Sequence, residues 1–370
     1  MSSIQYVQSF ARDTDQILAE LMAGFAGQKP SLVLLYASPR DDTEALARAV
    51  TTAFSPALVA GCTTAGEIAP AGYAQGSVLA VGLASEDFTV AKVLIDDLRH
   101  FNAAAARDAL VTAHAKLPAG NCFALTFFDG LCGCEEPVIA AIHAALGEVE
   151  VVGGSAGDGI DFRKTYLIHQ GGLVDDAALV LLVSTKLPFR TFKSESFVAG
   201  EQRLVITAAV PERRLVQEIN ARPAAKEYAR LVGVERDRLG PEIYARHPLM
   251  VRVGGANFVR SIQSANDDDT LVFFCAIDTG LVMRVGQSVD MADCLEKCFN
   301  SLRREMGEAA AVIAFDCIFR RLELVQTNNF GRVEEVLARN RVLAFSTYGE
   351  QFRGMHVNQT LSGVFIGGRS

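Results

Sequence analysis

Several features that define common protein classes are missing from this chain. It contains no tryptophan, only six histidines, and no Cys-x-x-Cys pair among its eight cysteines. Its longest apolar run, near residues 177–183, is far too short to cross a bilayer, so no membrane association is expected. The amino terminus carries Arg12, Asp13 and Asp15 where a secretory signal needs apolar residues. These absences predict a soluble, cytoplasmic protein.

Long runs of one charge are also missing. The net charge is -8, from 35 basic and 43 acidic residues that are interspersed along the chain. This balance provides no electrostatic footprint for a polyanion and argues against nucleic acid and anionic lipid as partners. The unevenly spaced cysteines fall mostly in apolar segments, which indicates reduced interior thiols rather than a disulfide framework.

What is present indicates an α/β protein of two domains. A chain of 370 residues with 50% hydrophobic residues can bury two cores. We predict an N-terminal helix within residues 1–29, a first domain over 30–215 and a second over 216–370. Each domain is expected to have a mixed β-sheet flanked by helices, with repeated βαβ units followed by antiparallel strands.

Three βαβ units account for this prediction. Their first strands are expected at residues 32–37, 123–128 and 311–315, and their second strands at 57–60, 149–152 and 342–345. Each unit ends in a glycine-acid turn, at Gly66-Glu67, Gly157-Asp158 and Gly349-Glu350. Only the third turn is followed closely by a histidine, His356.

Local signals fix some helix ends. Asp41, with Glu44 three residues later, predicts a capping box at the start of the first crossover helix. Residues 212–231 are polar and are predicted to be helical, with Arg222-Pro223 in their middle, at the start of the second domain. A helix around residues 333–338 is expected to end at Asn340.

Several motifs together resemble the FIST family, in its FIST-N plus FIST-C arrangement, from about residue 30 to 365. They lie at residues 61–67, 128–131, 152–158, 219–224, 251–255, 275–281 and 315–322. Ala221 departs from the family pattern, in which a glycine is expected between the asparagine and the arginine. The ending at residues 348–360 resembles the haem-binding, nitric-oxide-sensing branch called NosP.

This resemblance implies a sensor and not an enzyme. It implies non-covalently bound haem b, nitric oxide as the signal, and a separate histidine kinase as the partner in a two-component circuit. The missing Cys-x-x-Cys-His motif agrees with haem held by coordination and packing alone. Homo-oligomer formation is left open. The alternative function is a haem-free FIST module that binds a small metabolite, such as an amino acid, between its halves.

His356 is the predicted haem-iron ligand, because a ferrous sensor needs one neutral imidazole and an apolar wall around it. Strand alternation would place Gly354 on the same face as His356 and leave space beside the ring. Arg353 is the candidate clamp for a haem propionate. The aromatic wall is expected from four nearby rings, those of Phe345, Tyr348, Phe352 and Phe365.

Other residues support weaker alternatives. His169 ranks second as a ligand, because it follows the second turn at a position that resembles that of His356. Cys132-Gly133-Cys134 can be interpreted as a zinc or redox pair, and Cys62 or Cys317 as a reactive thiol. The glycine-rich stretch at 153–159 is predicted to be a turn rather than an anion-binding loop.

Overall fold

Three similar α/β units form most of the chain, as the sequence predicts. The structure is a computed structural model that describes residues 2–253 and 255–368. The first unit, with the segment before it, comprises β1 (Ile4–Ser9), α1 (Thr14–Gly24), β2 (Pro30–Ala37), α2 (Thr43–Ala53), β3 (Leu58–Thr63), β4 (Glu67–Ala69), β5 (Gly72–Ala74), β6 (Val78–Ala84) and β7 (Phe88–Ile95).

The second and third units repeat this order. The second comprises α3 (Ala103–His114), β8 (Asn121–Phe128), α4 (Glu135–Leu146), β9 (Glu150–Ser155), β10 (Leu167–His169), β11 (Gly172–Val174), β12 (Ala178–Thr185) and β13 (Phe189–Glu195). An insertion follows, comprising β14 (Phe197–Val210), β15 (Leu215–Ile219), β16 (Arg222–Pro223), α5 (Ala224–Val232), α6 (Pro241–Arg246), β17 (Leu249–Val253), β18 (Ala256–Arg260), β19 (Ile262–Ala265), β20 (Leu271–Phe273) and β21 (Val282–Ser288). The third unit comprises α7 (Met291–Met306), β22 (Ala309–Cys317), α8 (Ile318–Thr327), α9 (Phe330–Arg339), β23 (Val342–Thr347), β24 (Glu350–Phe352), β25 (Met355–Val357) and β26 (Thr360–Gly367).

The three units exchange strands in a cycle. Each unit gives the hairpin after its glycine-acid turn to the sheet of one other unit. The first and second units also give an edge strand, β7 and β13, to the sheet of the next unit, and β1 from the amino-terminal segment is the edge strand of the first sheet. The sheets therefore have the orders β1-β6-β2-β3-β10-β11, β7-β12-β8-β9-β24-β25 and β13-β26-β22-β23-β4-β5. Inside each sheet the two strands joined by a crossover helix are parallel, as expected.

The central strands are apolar on both faces because each sheet is covered on both sides. One face of the three sheets contributes to a shared central core, for example through Tyr36, Phe127 and Phe315. The alternate residues of the same strands pack against the outer helices, as Val33 does in the first unit and Val312 in the third.

The insertion forms an eight-stranded antiparallel sheet, in which seven strands have the order β18-β17-β21-β14-β15-β20-β19 and the eighth, β16, pairs with β15. One of its faces packs into an apolar cluster that also contains Ala65 and Tyr348 from two of the three turns. The inserted sheet therefore covers the place where the turns meet.

The structure corrects three local predictions. The first crossover helix is capped by Asp42, whose side chain bonds to Arg40 and Thr14 instead of the helix, and not by Asp41. Residues 212–231 are not one helix: β15 and β16 precede α5, which begins at Ala224. The segment before residue 30 contains the strand β1 in addition to the expected helix.

The helix that ends at Asn340 is confirmed, and α8 was not predicted. No helix in residues 2–253 and 255–368 is long and apolar enough to span a membrane.

Close packing of parallel strands gives a first prediction. A Cβ at Gly61 on β3 would lie 1.9 Å from the carbonyl oxygen of Leu35 on β2, its partner across the sheet. Because that neighbour is backbone, Gly61→Ala is expected to lower the free energy of unfolding by about 3 kcal/mol. Urea denaturation measures this loss.

Gly331→Ala in α9 is the matched control, because a Cβ there meets no atom within 4 Å. This variant is expected to change stability by less than about 1 kcal/mol. Equal stability of the two variants would contradict the close approach of β2 and β3 at Gly61.

Candidate functional site

The three glycine-acid turns meet and bond to one another through their backbones. The Gly157 N–H donates to the Thr63 carbonyl at 3.0 Å, and the Ser155 N–H donates to the Gly349 carbonyl at 2.8 Å. The Ser346 N–H closes the ring by donating to the Gly66 carbonyl at 2.8 Å. These bonds define the turn junction, a buried region to which all three units contribute.

Glu67 is a fully buried carboxylate in the first turn. Its oxygens accept hydrogen bonds from three hydroxyl groups, those of Ser38, Thr64 and Ser77. Burial raises its pKa to about 7, although these hydroxyl bonds act in the opposite direction.

Glu350 is the equivalent carboxylate in the third turn and is also fully buried. It accepts hydrogen bonds from the Thr347 hydroxyl at 2.5 Å and from the Thr360 hydroxyl at 2.8 Å. Burial raises its pKa to about 8. Neither Glu67 nor Glu350 has an ion-pair partner among the described residues, so each joins elements of its own unit as a hydroxyl-bonded acid.

The second turn is stabilised differently. The Asp158 carboxylate accepts backbone N–H groups from Phe162, Arg163 and Lys164 at 2.7–2.9 Å, and it also accepts the Tyr348 hydroxyl. Backbone donors of the glycine-rich loop itself are also occupied, because the Ala156 N–H donates to the Phe128 carbonyl and the Asp158 N–H donates to the Tyr348 hydroxyl. This arrangement agrees with the predicted turn and not with an anion-binding loop.

The hairpins after the turns have the same construction, with two three-residue strands and a two-residue connection. His356, in the middle of β25, aligns with Tyr73 on β5 and Leu173 on β11. His169 aligns with Phe352 and not with His356. The predicted resemblance between the positions of the two histidines is therefore wrong, because they lie on opposite strands of their hairpins.

The His356 ring is buried, with an exposed fraction of 3%. Its Nδ1 lies 3.4 Å from the Gln351 side-chain nitrogen, and its Nε2 has no hydrogen-bond partner among the described residues. At the aligned position, the Tyr73 hydroxyl donates to Asp316 at 2.9 Å. The third hairpin therefore has a histidine with an unpartnered Nε2 at the position where the first hairpin has a hydrogen-bonded tyrosine.

Burial lowers the pKa of His356 below its usual value. The carboxylates of Glu135 and Glu136 act against this shift, and the guanidinium groups of Arg214 and Arg260 reinforce it. The imidazole is therefore neutral at neutral pH, which is the form that binds a metal ion.

The space beside the ring differs from the prediction. Gly354 lies in the hairpin connection, where its added Cβ would meet His143 at 2.8 Å. The glycine beside His356 is Gly349, whose added Cβ would lie 2.6 Å from Nε2. A haem group therefore finds a suitable donor atom in this conformation, but the third turn fills the space where its iron would lie.

The predicted aromatic wall is also dispersed. Phe345 lies in the central core and Phe365 in the core under α7 and α9. Tyr348 faces the inserted sheet, and Phe352 is partly buried between two clusters. Arg353 is exposed at the hairpin connection, with its guanidinium 5.3 Å from the Phe352 ring centre. The role of Arg353 as a propionate clamp stays a prediction.

Sequence reasoning missed the polar surroundings of the ring. Asn358 is 1% exposed, yet neither its amide oxygen nor its amide nitrogen has a hydrogen-bond partner among the described residues. The side-chain oxygens of Gln351 and Gln359 are also buried and unpartnered there. Buried polar atoms normally have partners, so this group indicates a place for water or a polar ligand.

An ionic cluster next to His356 was missed as well. Arg214, from the inserted sheet, bonds to Glu135 at 2.7 Å and to Glu136 at 2.5 Å, at the start of α4. A pocket of about 220 Å³ borders this cluster and is lined in part by Cys132 and Phe274. The charged side chains of this cluster come from segments about 80 residues apart, so no local sequence motif could reveal the cluster.

The two cysteines predicted as possible nucleophiles lie in unfavourable surroundings. Cys62 and Cys317 are buried, and burial raises the pKa of each thiol well above its usual value. No group of three or more histidine, cysteine or acidic side chains able to hold a metal ion occurs in the part of the chain that the structure describes. The nucleophile and zinc alternatives therefore gain no support from geometry, and a redox pair at Cys132 and Cys134 stays a prediction.

The fold and the site together define a two-part α/β protein with a buried polar junction beneath an inserted sheet. Residues 31–222 match the FIST N domain and residues 224–353 match the FIST C domain. The chain therefore belongs to the FIST family, whose domains act as sensory modules in signalling. Its place in the NosP-type branch and the domain boundary at 215/216 stay predictions.

Two further proteins are similar to the chain. "Uncharacterized protein MJ1623" of Methanocaldococcus jannaschii is 22% identical over 280 residues, which cover 66% of this chain and 54% of that protein. The match thus spans about half the length of that relative. The crystal structure of a cyanuric acid hydrolase from A. caulinodans aligns over 100% of both chains with a TM-score of 0.39 and 8% identity.

The two buried acids predict how stability depends on pH. Their folded-state pKa values, about 7 for Glu67 and about 8 for Glu350, exceed the usual value near 4.5. Their stabilisation is therefore complete below about pH 4.5 and is lost as the pH rises through 7 and 8. We expect the free energy of unfolding to fall by a few kcal/mol, relative to Glu67→Gln/Glu350→Gln, between about pH 5 and pH 9.

Urea denaturation of both proteins across this range measures the difference. The lowered pKa values of His169, His247 and His356 act on both proteins alike, so their effects cancel. Glu148→Gln, at an exposed site, is the control and should follow the wild type. A constant difference between wild type and double variant would show that Glu67 and Glu350 are ionised throughout.

Proposed function

We propose that this chain is a haem-dependent nitric oxide sensor in which His356 is the iron ligand, and that it signals to a separate histidine kinase. The observation that carries the proposal is the buried, neutral imidazole whose Nε2 has no partner among the described residues. Membership of a sensory family supports the signalling role. Nitric oxide, haem b and the kinase are expectations from the resemblance to the NosP-type branch.

The chemistry of the ring supports the assignment. A bound haem would supply the iron that takes up nitric oxide, and the chain would supply a buried, neutral nitrogen donor. Coordination through Nε2 requires the proton on Nδ1, and Gln351 can accept that proton when its amide oxygen, instead of its nitrogen, faces Nδ1. His356 is thus oriented by its own hairpin.

Room for a porphyrin requires β25, which carries His356, to move away from Gly349 while β24 stays paired with β9. β25 is suited to such movement because it is an edge strand of its sheet and pairs only with β24. Each strand contributes only three residues to the pairing. Few backbone hydrogen bonds would be lost, so opening here costs less than at a central strand.

His356→Ala tests the ligand assignment. Apoprotein titrated with haemin is expected to develop a Soret band, which shifts when nitric oxide is added to the reduced protein. The alanine variant should lose this band because the coordinating nitrogen is gone, and added imidazole should restore part of it. Absorption spectra, with circular dichroism to confirm folding, measure the outcome.

His169→Ala is the matched control, since His169 lies on another hairpin and should leave the spectrum unchanged. Full haem binding by folded His356→Ala would rule out His356 as the ligand. Failure of the wild type to bind haemin would reject the haem proposal as a whole.

The second candidate function is sensing of a small polar ligand at the same junction. The unpartnered amide of Asn358 favours it, because a buried amide without hydrogen bonds is costly unless a ligand or water completes it. A compact molecule with both donors and acceptors, such as an amino acid, meets this need. It requires less displacement of the third turn than a porphyrin.

Asn358→Leu distinguishes a ligand-binding amide from a structural one. Without ligand, the variant is expected to be more stable than the wild type by about 1 kcal/mol, because an unsatisfied buried amide is removed. It should also lose any rise in melting temperature that the wild type shows with free amino acids. Differential scanning fluorimetry measures both effects.

Asn340→Leu is the matched control for this experiment. Asn340 is equally buried, but its amide donates to the Val336 carbonyl at 2.7 Å and accepts from Arg303 at 2.9 Å. That variant should be destabilised. Destabilisation of both variants to the same extent would show that Asn358 has a purely structural role.

A further inference from the structure

The outer face of the inserted sheet carries a row of arginines. Arg203 on β14 lies directly opposite Arg284 on β21, and Arg284 lies opposite Met250 on β17. Arg252 is two residues after Met250 and shares its face. The intervening residues Leu204, Met283 and Val251 are buried on the other face of the sheet. The arginines therefore project away from the protein core.

These arginines have no carboxylate partner. None of Arg203, Arg252 and Arg284 forms an ion pair with any residue in 2–253 or 255–368, and Arg284 donates only to the Gly200 carbonyl, at 2.7 Å. Like charges placed directly opposite in a sheet destabilise it. The chain as a whole has a net charge of -8, so these three unpaired arginines make this part of its surface positive against the overall charge.

The arginines border an amphipathic groove of about 450 Å³. Its floor includes Met250, which is 3% exposed, and its wall includes Val282, which is 55% exposed. An apolar strip beside positive charge matches a ligand that has both apolar groups and negative charges.

The apolar strip beside the charges narrows the class of ligand. Arg203 and Arg252 lie on strands separated by β21, about 10 Å apart across two strand spacings. A single phosphate or carboxylate group can pair with the arginines, but it leaves Met250 and Val282 uncovered. Several carboxylates distributed along an extended chain, with apolar side chains between them, fit this arrangement.

We propose that this groove is a docking surface for an acidic, amphipathic segment of a partner protein. Carboxylates of the segment pair with the three arginines, and its apolar side chains cover Met250 and Val282. The charge pattern guides association with the segment, although the whole protein is negatively charged. The proposal is independent of His356 and of haem.

Fluorescence anisotropy of a labelled peptide in which glutamate alternates with leucine tests the proposal. The intact wild-type chain should bind the peptide at low salt, and binding should weaken as salt rises. Arg203→Gln/Arg252→Gln/Arg284→Gln should weaken binding by about tenfold or more. Arg12→Gln/Arg107→Gln/Arg238→Gln removes the same charge from exposed, unpaired arginines elsewhere and should bind like the wild type.

Val282→Glu gives a second test that leaves all three arginines in place. The introduced carboxylate would form ion pairs with the arginines inside the groove. Peptide binding should therefore fall while folding is retained. Haemin titration should be unchanged in these variants, which separates this proposal from the haem proposal.

Three results would overturn the inference. They are the absence of peptide binding by the wild type, equal binding by the folded groove variants, and tighter binding of a single-stranded oligonucleotide or of phosphatidylserine vesicles than of the peptide.

Discussion

The ring of backbone hydrogen bonds between the three turns is the constraint on which the rest of the structure depends. Each of the hairpins after these turns pairs with strands of another unit's sheet. It can reach them only if the turn that precedes it lies at the centre of the molecule. Each turn is bonded to a turn of another unit, so no unit completes its own sheet alone. Stability of any one unit therefore requires the other two, and strands of the FIST N and FIST C regions share sheets.

This constraint explains why the junction is polar although it is buried. Turns expose backbone N–H and carbonyl groups that need partners, and here the partners come from the other turns. Glu67 and Glu350 extend the network through hydroxyl groups, and Asp158 does so through backbone N–H groups. Against this satisfied background, the unpartnered atoms at His356 and Asn358 stand out as the place where the network is incomplete.

The sequence predicted the repeated strands and crossover helices well, because their apolar periodicity and glycine-acid turns are local signals. The exchange of hairpins was not predictable, since each pairing joins residues far apart in the chain, as in Gln351 with Gly153. The burial of His356 follows from that exchange. Its neighbours were therefore predicted wrongly: strand alternation indicated Gly354, whereas the turn places Gly349 beside the ring. Arg214 reaches the site only through the inserted sheet.

A buried ion pair joins the inserted sheet to the start of α4, beside the turn junction. Two carboxylates, of Glu135 and Glu136, and two guanidinium groups, of Arg214 and Arg260, act on the neutral His356. A ligand that adds positive charge at His356 would draw the two carboxylates toward itself and loosen their hold on Arg214. Arg214 follows β14, the strand that also carries Arg203 of the groove. A ligand can shift the position of the inserted sheet only by the difference in its binding free energy between the two arrangements. This buried ionic contact is where such a difference can arise, because charge interactions are stronger out of water.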